Sequence, residues 1–461
     1  MIAQSHTPAV HDVIVVGGGI AGLTLGWEVA RAGLDVVVTD AEESTGGMLR
    51  RGVLAGVELD LGAESFATRT SGVVDLVDDA RLPVQFTSPR PGGAHLAYRG
   101  RFGRVRRSPL PRRALIGMPA DPAAADVAAI LGRAGSRRAL AERTLPVADG
   151  PEPSLADLVI SRYGAAVAER LVEPLCRSVY SHDAASVRLS ALHPALWEAY
   201  HAHGSLTAAV DALAPDSRAG SAVRGVEGGL WRLAAQLHAA ALRAGAQIRT
   251  GGRVRRLRSE DGATDVVLDD ETLRGRTVVL ATGPGAAADL LGVQIAAAAP
   301  VRLTVAEIAG DALRRHPVGS GVIVAPDVAT PAKALTHVDA KWDWADAALP
   351  AGRSVVRLSA RDGDAGGLET GAQVARAVRT LTGAPVSAGD VRTLTQVVWP
   401  DAVCPPATRS ALATAAQERG IRLTGAIAAG TGLASVIPHA RSLATDIIAS
   451  HTPHEGARHV R

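Results

Sequence analysis

Two rhythms of apolar residues alternate along this chain and predict where strands and helices lie. Asp12–Val16 is a β-type run that passes directly into Gly17-Gly18-Gly19-Ile20-Ala21-Gly22. Leu23–Ala32 then repeats apolar positions at helical spacing up to Gly33, a residue suited to a helix C-terminus. Asp35–Asp40 (DVVVTD) is a second strand of buried type, closing on a carboxylate. Helical spacing returns in Ala120–Arg143, from Ser154, in Ala165–Cys176, in the loop–helix unit Gly225–Leu237, near Gln373–Leu381 and in Ser435–Ser450. Strand spacing occupies Gln247–Leu257, Asp265–Asp269, Thr277–Leu280, most of Val301–Val398, and Ile421–Ala426. Pro146–Pro153 reads as a linker, and no internal repeat is present.

This order predicts an α/β protein whose dinucleotide-binding domain is discontinuous, built from residues 1–80, 211–290 and 396–461. Residues 81–210 read as a hairpin and a helical insertion, and 291–395 as a mixed-sheet domain. A chain of 461 residues is long enough for such an arrangement. Its two cysteines, Cys176 and Cys404, form no disulfide framework and no repeated metal-ligand spacing, so no metal is expected and a reducing cytoplasm is favoured. The run Val13–Leu25 is too short and too broken by glycine for a signal peptide or a membrane span, so no transmembrane segment is expected.

A formal net charge of +3 gives no reason to expect nucleic acid. Charge is uneven locally, however: Arg99, Arg101, Arg104, Arg106, Arg107, Arg112 and Arg113 crowd one segment. That cluster reads as a solvated hairpin first; an acidic partner, a membrane surface or a funnel for a polyanionic substrate are the sharper alternatives. Few aromatics interleave with it, which argues against a base-stacking platform. The expected location is the cytoplasm, with peripheral attachment to a membrane as the alternative.

The chemistry begins at the glycine turn. Gly17 permits the tight turn, Gly19 lets backbone approach a pyrophosphate, and Gly22 lets helix and strand close on one another. The leading N–H groups of the helix, Gly18, Ile20 and Ala21 among the residues around them, favour phosphate. Asp40 is placed to accept hydrogen bonds from a ribose, with Ala41 beside it. These features alone admit any dinucleotide.

The following segment narrows the ligand to FAD. Asp40 to Arg50 (DAEESTGGMLR), with Gly46, Gly47 and Arg50, resembles the extended flavin motif of the amine oxidase and protoporphyrinogen oxidase superfamily. Gly430-Thr431-Gly432-Leu433, running into a helix with Ser435, Arg441 and Ala444, resembles that superfamily's closing flavin motif. Glu58 to Phe66, containing Gly62, Ala63, Glu64 and Ser65, is similar to the segment that passes beneath the flavin. Leu171-Val172-Glu173-Pro174-Leu175, Gly225–Leu233, and Gly319-Ser320-Gly321 with Lys333, Thr336, His337, Lys341 and Trp342 follow in the same order. Most of the chain is thereby similar to the porphyrinogen oxidases, above all to their actinobacterial coproporphyrinogen III oxidase branch.

The resemblance implies a Rossmann-type FAD-binding domain, a mixed-sheet substrate domain and a helical insertion. It implies oxidation of a tetracarboxylate porphyrinogen in three two-electron steps, with flavin N5 taking each hydride equivalent and molecular oxygen returning as hydrogen peroxide. Flavin carries that chemistry, which suits a chain with no evident nucleophile–base constellation. Val254 and Trp399 join the expected cofactor contacts, and Arg69, Arg177, Lys333, His337 and Lys341 are candidate propionate ligands. Transient contact with the next haem-pathway enzyme would suit a reactive product.

Departures from the pattern leave alternatives. Ser178 stands where a glycine is usual, and Cys404-Pro405-Pro406 replaces the usual Pro-Gln-Tyr stretch after Trp399. Protoporphyrinogen IX oxidation is the nearest rival reading, and a catalytically impaired flavin-binding scaffold is the rival of another class.

Overall fold

The first apolar run becomes strand Val10–Val16, parallel to Val36–Thr39 on one side and to Thr272–Leu280 on the other. The computed structural model that shows this describes residues 9–100, 102–147, 150–180, 183–214, 222–296, 300–361 and 367–451. Arg101 of the basic cluster and the linker residues Ala148 and Asp149 lie outside them. Gln247–Arg249 adds a parallel strand beyond Val36–Thr39, and Arg422–Leu423 another beside the end of Thr272–Leu280. The antiparallel strands Ala263–Val267 and Arg256–Glu260 complete this seven-stranded sheet.

Successive side chains of a strand point to opposite faces, and here both faces are covered. Val13, Val15, Val36 and Val38 pack against helices Ile20–Arg31, Trp231–Arg243 and Leu433–His451. Ile14, Val16 and Val37 face the other way, towards Pro284–Leu291 and Pro406–Glu418. This is why the two strands read as continuous apolar runs. Elements from the beginning, middle and end of the chain meet in one layered α/β unit.

A second seven-stranded sheet runs in the order Val391–Trp399, Val301–Ala309, Arg353–Arg361, Ala334–His337, Gly321–Val324, Ala94–Arg99, Val105–Pro109. Its pairs are antiparallel except Gly321–Val324 with Ala94–Arg99. The basic hairpin, grouped above with the helical insertion, is thus hydrogen-bonded into this sheet. Its side chains explain the dual allegiance: Ala97 joins the core under helix Gly371–Thr382, whereas Leu96 and Tyr98 point into the helical segment.

In that helical segment Ala125–Leu140 is broken at Gly132, whose φ is 71°. Glu142 is fully buried among the neighbouring helices. It accepts from Arg162 Nη2 at 2.6 Å, from Ser205 Oγ at 2.6 Å, and from the N–H groups of Leu206 and Thr207 that open helix Leu206–Leu213. Burial alone would raise its pKa, but the bonds from Ser205, Thr207 and Arg162 hold it lowered. Helix Leu155–Tyr163 starts where the sequence placed it, with Ser154 Oγ accepting from Asp157 N at 3.1 Å. Ser154→Ala is expected to cost about 1 kcal/mol, read as a lower midpoint in chemical denaturation at unchanged m.

Two expected strands are shorter than their apolar runs. Gln247–Leu257 divides into Gln247–Arg249 and Arg256–Glu260, because Gly251 and Gly252 turn back to hydrogen-bond Glu42 and Asp40. Ile421–Ala426 keeps only Arg422–Leu423, since Gly425 at φ 79° redirects the chain into helix Ala426–Ala429. No helix among the described residues is long and apolar enough to cross a membrane.

Candidate functional site

The glycine turn sits at the C-terminal edge of the first sheet. Gly17 has φ 113°, and a Cβ there would lie 2.6 Å from the Ala281 carbonyl oxygen. A Cβ on Gly22 would lie 1.9 Å from the Gly17 carbonyl oxygen, so helix Ile20–Arg31 closes on the turn itself as well as on Val15. Gly19 is different: its φ is −68° and a Cβ would meet nothing within 4 Å. Its backbone borders free space at the N-terminus of a helix whose leading N–H groups have no acceptor within the helix.

The loop after Val36–Thr39 wraps that turn. Gly46 N donates to Gly18 O at 2.9 Å, and a Cβ on Gly47 would come within 3.3 Å of Gly19 Cα. Asp40 Oδ2 accepts from Gly18 N at 2.7 Å and its Oδ1 from Glu42 N at 2.9 Å. Burial raises its pKa, and those backbone bonds oppose the rise. Ala41 is exposed beside it, and half-buried Val254 follows the Gly251–Gly252 turn that is bonded to Glu42 and Asp40. Arg50 Nη2 reaches Glu42 at 3.0 Å, with the guanidinium 5.3 Å from the centre of the Trp399 ring.

The segment Gly62-Ala63-Glu64-Ser65 crosses next to this loop. A Cβ on Gly62 would lie 1.9 Å from Met48 O and 3.4 Å from the Trp399 ring, and Ala63 N donates to Met48 O at 3.2 Å. Glu64 is buried, with Lys341 Nζ at 2.6 Å and Arg357 Nη2 at 3.3 Å. Arg357 also donates to Gly62 O at 2.5 Å. Burial would raise the Glu64 pKa, but Arg357 and Lys341 outweigh it and hold the carboxyl at about 2. Arg357 of strand Arg353–Arg361 thus holds the backbone of this segment, and Lys341, at the end of the short helix Val338–Lys341, holds its carboxylate. Ser65 is half-buried in the same run.

Asp60 precedes this segment and accepts from Leu230 N and Trp231 N, both at 2.8 Å, where helix Trp231–Arg243 begins. Burial pushes its carboxyl up to about 7 against those bonds. A raised carboxyl pKa means the folded chain keeps a proton that the unfolded chain has already released. Stability from Asp60 therefore falls as pH rises from 3.8 through about 7 and is constant above. Wild type should lose stability relative to Asp60→Asn across that window, as measured by denaturation at matched pH.

The closing motif stands at the start of the last helix. Thr431 and Gly432 are exposed, Gly432 has φ 99°, and Leu433 opens the last helix. Arg441 is turned away, donating to Glu28 at 2.6 Å and also to Asp79, so it fastens the last helix to the glycine-turn helix. Trp399 Nε1 is buried without a hydrogen-bond partner between Gly62 and Arg50. The open backbone at Gly19, two helix N-termini and this orphaned donor fit a dinucleotide-linked ring system.

The five candidate substrate cations do not form one cluster. Arg177 and Lys333 are brought together: Lys333 Nζ donates to Arg177 O at 3.1 Å, and Ser178 Oγ donates back to Lys333 O at 2.9 Å. Both line a cavity of about 110 Å³. Lys341 is instead committed to Glu64. His337 is fully buried, its Nε2 3.3 Å from Asp339 Oδ2 and its ring against His316, so it faces the interior and not a surface. Arg69 is exposed and hydrogen-bonds Ser435 at the start of the last helix. No cluster of His, Cys, Asp or Glu among the described residues could hold a metal.

The comparisons with known proteins agree with this geometry. Residues 20–422 match the family of flavin-containing amine oxidoreductases. This chain belongs to that family. It is a flavoprotein, and FAD is its cofactor. Within the flavin-containing amine oxidoreductases it is 33% identical over 375 residues to the coproporphyrinogen III oxidase of Mycobacterium leprae, covering 75% of this chain and 76% of that one. The Mycobacterium bovis coproporphyrinogen III oxidase is 31% identical over 357 residues, covering 71% and 73%. A solved Exiguobacterium structure assigned as a protoporphyrinogen oxidase superposes with a TM-score of 0.79 at 19% identity, covering 96% of this chain and 100% of that one. Cyclohexylamine oxidase from Brevibacterium oxydans gives 0.66 at 16% identity, covering 96% and 99%. The fold expected from the porphyrinogen oxidase resemblance is therefore the fold found.

Arg357 and Asp60 escaped the sequence reading. Arg357 interrupts the apolar run Ser354–Leu358 of a strand, a signal that was available but ambiguous. Asp60 gave none, because its partners are backbone groups some 170 positions away.

Proposed function

We propose that this flavoprotein oxidises coproporphyrinogen III to coproporphyrin III with molecular oxygen, releasing hydrogen peroxide, in haem biosynthesis. The observation that carries the reading is the likeness to the two mycobacterial coproporphyrinogen III oxidases along some three-quarters of the chain. Bound FAD supplies the acceptor for hydride equivalents. In this reading Gly17–Gly22, Asp40, Ala41 and Val254 hold the ADP half. Gly46, Gly47 and Arg50 hold the pyrophosphate and the flavin flank. Gly62–Ser65, Trp399 and Thr431–Leu433 surround the ring.

Glu64, Lys341 and Arg357 act as positioning residues, since their charges close on one another and on the Gly62 carbonyl. Arg177 and Lys333 line one small cavity and are the cations for a propionate, with the Arg177 guanidinium 3.6 Å from Asp183; Arg69 can serve a second. Arg177→Glu is expected to raise KM for the tetracarboxylate about tenfold, the worth of one charge-assisted hydrogen bond, with a smaller effect on kcat. An unchanged KM would remove Arg177 from the substrate site.

The direct test is to purify the holoprotein, record its flavin absorbance, and follow porphyrin fluorescence and peroxide from coproporphyrinogen III and protoporphyrinogen IX in air. Faster turnover of coproporphyrinogen is expected. Preference for protoporphyrinogen would reverse the assignment. Flavin without turnover of either substrate would identify a scaffold.

A further inference from the structure

Lys341 stands on a helix that cannot hold itself. Val338–Lys341 is a single turn of four residues, and one isolated turn fixes more dihedral angles than its hydrogen bonds stabilise. A four-carbon side chain also has many rotamers to lose. Yet the Lys341 ammonium is kept 2.6 Å from the Glu64 carboxylate, on a side chain only 15% exposed. The position of that charge is therefore imposed from outside the turn.

Asp339 and Arg90 hold the turn from two sides. Asp339, fully buried, accepts from Val355 N at 2.8 Å and so joins the turn to strand Arg353–Arg361, the strand that also carries Arg357. Arg90 lies in the loop segment Ser88-Pro89-Arg90-Pro91, where the following proline confines its backbone to extended conformations. Its N–H donates to Lys341 O at 2.8 Å, and its Nη1 to Asp339 O at 3.0 Å. These are carbonyls that so short a helix leaves without internal donors, and an arginine can cap them. On its other side the guanidinium donates from Nη2 to Asp346 at 2.9 Å and from Nε to Asp343, both in the first turn of helix Asp343–Ala348. Arg314 holds the second oxygen of Asp346 at 2.5 Å. One side chain, 26% exposed, thus spans the corner between two short helices.

The pair with Asp343, which is 70% exposed, would by itself be an ordinary surface contact. The two bonds to the carbonyls of the turn differ from it, because they act on the segment that carries the ammonium. Lys341 and Arg357 set two cations against the one carboxylate of Glu64 beside Gly62–Ser65. Positive charge beside a flavin makes the ring easier to reduce, since reduction adds electron density to it.

We infer that Arg90 is a positioning residue for flavin reduction: by capping the turn Val338–Lys341 it fixes the Lys341 ammonium, and with it the surplus positive charge beside the flavin segment. The inference rests on the reading that sets Gly62–Ser65 against the ring, and not on the identity of the substrate.

The test is a spectroelectrochemical titration of the FAD-loaded protein, which measures the midpoint potential of the bound flavin with no porphyrinogen present. Lys341→Met and Arg90→Gln are each expected to lower the potential. In the Lys341→Met background, Arg90→Gln should change nothing further, because the ammonium that it places is gone. Asp343→Asn removes the exposed partner of Arg90, keeps the bonds to the turn, and should leave the wild-type potential. Arg90→Lys keeps the charge but not the fork; it should lower the potential with a smaller loss of thermal stability, and it takes the place of Arg90→Gln if that variant does not fold. A wild-type potential in Arg90→Gln, or in Arg90→Lys where the first does not fold, would leave Arg90 a purely structural residue and overturn the inference. So would an undiminished shift in the Lys341→Met background, or a shift of equal size and opposite sign in Asp343→Asn, either of which marks a long-range effect of charge. An unchanged potential in Lys341→Met alone would overturn the placement of the cluster beside the ring and the inference with it, whereas the substrate reading is tested separately by porphyrinogen turnover.

Discussion

Gly22→Ala is expected to yield a poorly stable, largely colourless protein, whereas Gly19→Ala yields a stable one that holds FAD weakly. The first substitution places a methyl group 1.9 Å from the Gly17 carbonyl oxygen, at the centre of the turn. Neither backbone can yield without parting helix Ile20–Arg31 from its strand, so the cost is about 3 kcal/mol or more. The second meets no protein atom within 4 Å and keeps an ordinary φ of −68°. Nothing in the protein itself requires glycine there. In the proposed binding mode the requirement comes from the pyrophosphate, which must approach the backbone. Thermal melts of the apoproteins and flavin absorbance per chain separate the two effects. Equal melting temperatures for both variants would contradict the packing argument, and full flavin retention by Gly19→Ala would contradict the binding argument.

Glu64→Ala should be the most damaging single change between the two sheets. It leaves Lys341 and Arg357, both partly buried, without the buried carboxylate they share, a loss of about 3 kcal/mol. Lys341→Met on that background should recover part of the loss, because one of the two stranded charges is gone; strict additivity would show that the pair does not act as a unit. The ionised group also sets a pH dependence. A depressed carboxyl pKa stabilises the fold above the ordinary value of 4.5, and that contribution disappears as pH falls towards about 2. The stability gap between wild type and Glu64→Gln should therefore narrow between those values. A gap as wide at pH 3 as at neutrality would contradict the assignment of charge to Glu64.

Protonation at Asp60 runs in the opposite sense, although it lies only four positions earlier. Asp60 meets two backbone dipoles and only a weak pull from Arg357, while Glu64 has two cations within ion-pair distance. Nothing in the local sequence distinguishes these two acids. Their environments are built by residues from distant parts of the chain.

The same contrast governs what could be read in advance. Strand, glycine turn, helix and acid-tipped strand follow one another within Val10–Asp40, so local periodicity and spacing were enough to fix that unit and its ligand class. The segments Gly46–Arg50, Gly62–Ser65 and Thr431–Leu433 were expected beside the flavin from their resemblance to the motifs of a known family, and the fold brings the first two together at Met48 and Trp399. The candidate substrate cations were not legible in the same way. Arginine, lysine and histidine carry no local mark of what they will face, and five candidates went to four different environments. His337 turned inward to Asp339, Lys341 closed on Glu64, Arg69 stayed exposed beside Ser435, and only Arg177 and Lys333 met.

By itself, then, the sequence determined the dinucleotide turn, the two-faced parallel strands around it and the order of the flavin segments, because backbone conformation and burial periodicity are local properties. Tertiary structure alone decided which charges pair, which carboxyl is held ionised and which is pushed towards neutrality, and that the basic hairpin joins the second sheet. Those outcomes depend on distance and desolvation between residues far apart in the chain, and even the open backbone at Gly19 gains its neighbouring wall only once Gly46 and Gly47 have folded against the turn that Gly17 begins.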